Sequence, residues 1–170
     1  MKQAWESPDL TMEEQQIQSL VTGWHQRARR ERNDPISQFV FLWICFNAWL
    51  SYESGLDADA AMLSWLKGAA RERSQLVTSF DLATASDTFR TNLRALAGLS
   101  PIHGTRRSNP RVVHIAGDQD FDGIVDGIYQ VRCNLFHGGK RANDARDQKL
   151  VMASARILEK WVGNLVAGWR

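Results

Sequence analysis

From Ile36 to Leu50 the chain is apolar on nearly every side of a helix, with Phe39, Phe41, Leu42, Trp43, Phe46, Trp49 and Leu50 among its residues. A helix without a water-facing side must be buried among several neighbours. That requirement alone predicts a bundle of several helices rather than an isolated hairpin or an open sheet. Asp34-Pro35 stands immediately before it, and proline suits the first helical position because the amide hydrogen it lacks has no acceptor there. The stretch is too short and too interrupted for a membrane span, which takes about 20 apolar residues. Asn47 is its polar exception, read either as a tie between helices or as a group supporting a nearby site. A buried amide must find hydrogen-bond partners.

The remaining pattern supplies the neighbours. Residues 1–10 contain Pro8 and no sustained period, and read as a flexible arm. Thr11 and Glu14 match a capping box, and the helix behind them presents Ile17, Leu20, Val21, Trp24 and Ala28 on one side. Its end carries Arg27, Arg29, Arg30 and Arg32, which suit the negative pole of the helix dipole and read as a solvated face. A shorter segment holds Met62, Leu63, Trp65 and Leu66, a further helix is expected over 68–82, and Ser86 or Asp87 caps one that runs to Leu96 or Leu99. Between 98 and 120, Gly98, Pro101, Gly104, Pro110 and Gly117 break any long helix. An insertion loop is expected there, basic at its centre, with Arg111 to Ile115 as a short extended piece. Asp144 opens a final helix whose stripe runs through Leu150, Ile157, Trp161, Leu165 and Trp169. The expected fold is therefore all-α, a single domain over 11–170.

Composition narrows the function classes. With 170 residues, 44% of them apolar, one sizeable core closes without a second domain. The net charge of +2 does not by itself imply nucleic acid, so charge placement matters more than the total. Cys45 and Cys133 both fall in apolar helical segments without CxxC spacing, which favours neither disulfide nor zinc and points to a reducing compartment. His103 and His114 are not at a metal-binding spacing, and no cofactor or metal is expected. Without a basic-then-apolar leader, a cytoplasmic location away from membranes is expected.

Chemistry concentrates in residues 124–139. Ile124, Ile128, Val131 and Leu135 recur at three- and four-residue steps, and Gly138-Gly139 stop the helix. Arg132 and His137 lie in its last turns, about 140° apart around a regular helix. Arginine binds phosphate through forked donors, and imidazole exchanges a proton near neutral pH. An RNA phosphodiester can be cut without metal when its own 2′-hydroxyl attacks phosphorus, provided the protein moves two protons and stabilises the phosphoryl oxygens. His137 suits a proton transfer, Arg132 the phosphoryl charge, and Asn134 an orienting hydrogen bond. Lys140, Arg141 and Arg107 are placed to hold phosphates. One Arg and one His are few for two proton transfers, and a two-fold homodimer would bring two sets to one groove. Against this stands a structural reading, in which either residue caps a helix or answers a carboxylate such as Asp126.

The run from Arg132 to His137, Arg-Cys-Asn-Leu-Phe-His, resembles the Arg-x4-6-His motif of HEPN domains (higher eukaryotes and prokaryotes nucleotide-binding). The apolar helix around Phe41–Trp49 resembles an early core helix of bacterial HEPN-like proteins, and the likeness spans residues 11–168. The resemblance implies a HEPN-like bundle, commonly dimeric, whose active members are metal-independent endoribonucleases of toxin-antitoxin, antiphage and RNA-processing systems. It places the catalytic pair on Arg132 and His137, and implies RNA and an antitoxin or other regulatory protein as partners. The family often carries a polar residue directly after the arginine, where this chain has Cys133, with Asn134 one place later. Other members are noncatalytic, so an RNA- or nucleotide-binding module, or a helical protein-interaction domain, is the alternative expectation.

Overall fold

The structure is a computed structural model that describes residues 10–68, 73–104, 111–137 and 144–169. From these residues come seven helices and one short hairpin, an all-α bundle. Helix α1 (Met12–Arg30) starts where the Thr11 hydroxyl accepts the Glu14 amide hydrogen at 3.1 Å. Helix α2 (Pro35–Ser54) starts at Asp34, whose carboxylate accepts from the amides of Ile36 and Ser37. It runs four residues past the apolar stretch and stops at Gly55, the left-handed position (φ 66°) that a residue with a Cβ adopts only under strain. The helices α3 (Asp59–Lys67), α4 (Gln75–Thr84), α5 (Asp87–Gly98), α6 (Phe121–Phe136) and α7 (Ala145–Ala167) complete the bundle.

The burial demanded by α2 is met. Phe39, Leu42, Phe46, Trp49 and Leu50 are in the core, and α1, α3 and α7 pack around them. Helix α7 is the second central element, contacting α1, α2, α4, α5 and α6. Trp161 sits where these meet, with its ring centroid 5.0 Å from Phe46 and 4.8 Å from Phe80, and Phe121 at 5.9 Å. Its indole N–H is not left unpaired by burial, because it donates to the Leu76 carbonyl at 2.7 Å.

Two expectations shift. The helix expected over 68–82 begins only at Gln75, because Gly68 closes α3 and Ser74 restarts the chain as an N-cap. Glu53 fixes that restart by accepting from the Ser74 hydroxyl at 2.6 Å and the Gln75 amide at 2.5 Å. The stretch 98–120 is not simply a loop. Strands β1 (Ile102–His103) and β2 (Val112–Val113) pair antiparallel, with Ile102 opposite Val113. Ile102, Val113 and Ile115 are buried against α6, where Gly127 leaves room: a Cβ there would lie 2.8 Å from Ile115 Cδ1. Arg146 at the start of α7 secures the same region by donating to the carbonyls of Leu99 and Pro101. No described helix is long and apolar enough to cross a membrane.

Candidate nucleic-acid site at the end of the sixth helix

Helix α6 is capped by Asp120, which accepts the Gly123 amide hydrogen at 2.9 Å, and stays regular through Phe136. The amide of His137 still donates to the Cys133 carbonyl at 3.0 Å. The last turn therefore does not distort to bring Arg132 and His137 together, and the two side chains leave the helix about 140° apart. The His137 side chain is exposed and makes no hydrogen bond or ion pair with the described residues.

Arg132 has a more elaborate setting. Its guanidinium carbon lies 5.0 Å from the Phe136 ring centroid and 6.0 Å from that of Trp43, so the cation rests among aromatic faces. One Nη2 contact, at 3.2 Å, reaches Asp59 Oδ2, with the two side chains 25% and 20% exposed. This is a single-point pair, not the two-pronged arrangement an arginine fork can make with a carboxylate or a phosphate. The guanidinium makes no hydrogen bond with the described residues, and Nε is buried without such a partner among them. Tyr129 and Cys133 adjoin the group on the same helix. Burial first, then the Cys133 thiol and the Asp59 carboxylate, push the Tyr129 phenol above its ordinary range, with the Arg132 charge opposing them. At neutral pH Tyr129 is therefore a protonated hydroxyl.

Asp59 is the first residue of α3, and Lys67 is the last. Lys67 Nζ lies 2.7 Å from Asp126 Oδ1 on α6, so α3 is tied to α6 by an ion pair at each end. Arg111 shares Asp126, at 3.1 Å, and its guanidinium carbon lies 5.9 Å from the Tyr129 ring centroid. Asp126 thus answers Lys67 and Arg111 rather than Arg132.

The other expected site residues separate. Asn134 is fully buried: its amide donates to the His103 carbonyl at 2.9 Å, and its Oδ1 accepts from Gln130 at 2.9 Å. It fastens α6 to β1, so the orienting hydrogen bond expected of it is directed to the protein itself. The Asn47 side chain is partly exposed and makes no hydrogen bond with the described residues, so it ties α2 to none of them. One turn separates it from Trp43 on α2, which places it beside the indole near Arg132. Lys140, Arg141 and Arg107 lie outside the described residues, as do Gly138 and Gly139.

Asp59, Trp43 and Tyr129 are the neighbours that the sequence did not assign to the site. Tyr129, Arg132 and Phe136 fall at steps of three and four, so their common stripe on α6 is visible in the sequence once the helix is drawn. Nothing local announces Asp59, because its partner is far away along the chain. Among the described residues no three His, Cys, Asp or Glu side chains gather closely enough to hold a metal ion. Compared with protein families, with characterised proteins and with solved structures, the chain matches none.

Proposed function

We propose that the protein is a metal-independent endoribonuclease of HEPN type, acting on RNA phosphodiesters as a homodimer. The observation that carries the reading is Arg132 on its aromatic shelf with Asp59 as its one acidic contact among the described residues, at the same helix end as an exposed His137. A phosphodiester that displaces Asp59 would meet two parallel guanidinium donors, which match the phosphoryl oxygens better than the carboxylate contact does. The 2′-hydroxyl then attacks phosphorus as one imidazole removes its proton. The 5′-oxygen leaves with a proton from a second imidazole, giving a 2′,3′-cyclic phosphate and a 5′-hydroxyl. Because the two side chains diverge around α6, the reading pairs Arg132 of one protomer with the partner's His137 across a two-fold groove. Lys140, Arg141 and Arg107 would hold flanking phosphates, and an antitoxin or other regulatory protein would restrain the activity in a toxin-antitoxin or antiphage setting.

The test is incubation with RNA under excess chelator, beside a matched 2′-deoxy strand and folded Arg132→Ala and His137→Ala variants. The expected result is cyclic-phosphate ends from RNA only, with losses of at least about a hundredfold in either variant. Undiminished cutting by His137→Ala would remove the imidazole from the mechanism. The pairing of Arg132 with Asp59 favours a second reading, a noncatalytic RNA- or nucleotide-binding module whose arginine is held in reserve. Binding of diverse RNAs without any cleavage would select it.

A further inference from the structure

The basic end of α1 reads as a solvated face in the sequence, but the fold gives it company. Arg29 and Arg32 line a cleft of about 730 Å³ with Arg156 and Lys160 of α7. Four permanent cations there stand against one carboxylate, Glu159, a local charge of +3 in a chain whose total is +2. Glu159 organises the group rather than neutralising it. It accepts from Arg32 Nε at 2.6 Å and from Arg156 Nη1 at 3.3 Å, fixing two guanidinium groups. Arg29 and Lys160 are exposed and make no ion pair with the described residues. The first turn of α5 opens into the same cleft at Ser86 and Thr88, adding the positive pole of a 12-residue helix. None of these residues belongs to the Arg132 site.

We propose that this cleft between α1, α5 and α7 is a second anion site that holds backbone phosphates of a single-stranded RNA. The choice of strand rests on the ribonuclease reading, whereas the preference for phosphate rests on the cleft. Cations fixed in advance lose little freedom on binding, and each phosphate neutralised releases a condensed counterion. The site provides hold on the strand and no chemistry, so a long RNA would gain from it and a dinucleotide would not.

The experiment uses an uncleavable fully 2′-O-methylated RNA strand and fluorescence anisotropy across a salt series. It compares wild type, Arg29→Ala/Lys160→Ala, and a control, Arg30→Ala/Arg73→Ala, that removes two exposed arginines outside the cleft. The cleft variant should bind about tenfold more weakly, with the log–log salt slope reduced by about 1.4, or roughly 0.7 per lost contact on a single strand. The control should stay near wild type. An unchanged affinity in the cleft variant, or an equal loss in the control, overturns the proposal. Failure of the ribonuclease reading would show separately, as uncut 2′-hydroxyl RNA while the cleft variant still loses affinity.

Discussion

At the scale of single residues, Arg132 answers to a carboxylate and to two aromatic faces at once. Asp59→Asn keeps the shape of the carboxylate and removes its charge, so a phosphate no longer has to displace an anion. RNA affinity should rise by roughly threefold to tenfold, while stability should fall by less than about 1 kcal/mol because the pair is partly exposed. Anisotropy with an uncleavable strand and a thermal melt check both, and an unchanged affinity would show that Asp59 does not compete for the guanidinium. Cys45 gives a pH signature independent of function. Burial pushes its thiol up to about 12 from 9.0, and its sulfur lies 3.5 Å from the Val21 carbonyl. The unfolded thiol therefore ionises first, and stability present below pH 9 is lost as pH rises towards 12. The raised Tyr129 phenol acts in the same direction at the upper end. Urea midpoints should fall between pH 8 and 10.5, and less steeply in Cys45→Ala.

At the scale of elements, α6 is read from two sides. One side packs on the hairpin through Gly127 and Asn134, and the other presents Tyr129, Arg132 and Phe136. Gly127→Ala would gain helix propensity, about 1 kcal/mol, but must push aside the buried ends of Ile115 and Ile102, a repacking that costs about 1–3 kcal/mol. The expected net loss is about 1 kcal/mol in chemical denaturation, and a stabilised variant would mean the hairpin yields freely. Asp34→Ala should cost about 1 kcal/mol by the same measurement, since two first-turn amides of α2 lose their acceptor. Most of these elements were legible in advance because their signals are local: Thr11, Asp34, Ser86 and Asp144 all cap where a polar residue precedes an apolar period, whereas the Asp120 cap of α6 lies inside the stretch read as a loop. The hairpin was legible only as an extended piece. Its partner strand, Ile102–His103, is two residues long and carries no alternation to detect. The hydrogen bonds of Asn134 were not legible for a related reason, since adjacency to Arg132 in sequence says nothing about a carbonyl brought in by β1.

At the scale of the whole molecule, the aromatic cluster at Trp161 joins α2, α4, α6 and α7 into one core. Trp161→Ala should cost about 4 kcal/mol and keep a single unfolding transition by fluorescence and circular dichroism alike. Assembly is where the proposed chemistry meets its strictest check. If one groove uses both imidazoles for its two proton transfers, a dimer that mixes wild-type and His137→Ala protomers has lost one of them. In an equal mixture only a quarter of the dimers keep both, so cleavage should fall to about a quarter of that of wild type after subunit exchange. A fall to only about a half, with exchange confirmed by mass, would mean that each protomer cuts alone and would remove the dimer from the mechanism. The core was readable from periodicity, because burial follows composition and spacing. The proposed two-fold groove leaves no such trace, since the pairing of two surfaces sets no period in either.

The double fastening of α3 has a mechanical consequence. Met62, Leu63 and Leu66 seat its underside in the core, while its two ends are held to α6 by charges of opposite order, anion first and cation last. An anion seated on Arg132 would release the leading end alone, so the segment would fray from Asp59 like a latch lifted on one pin while Lys67 stays put on Asp126. Amide exchange should then quicken over residues 59–62 on RNA addition and remain slow over 64–67.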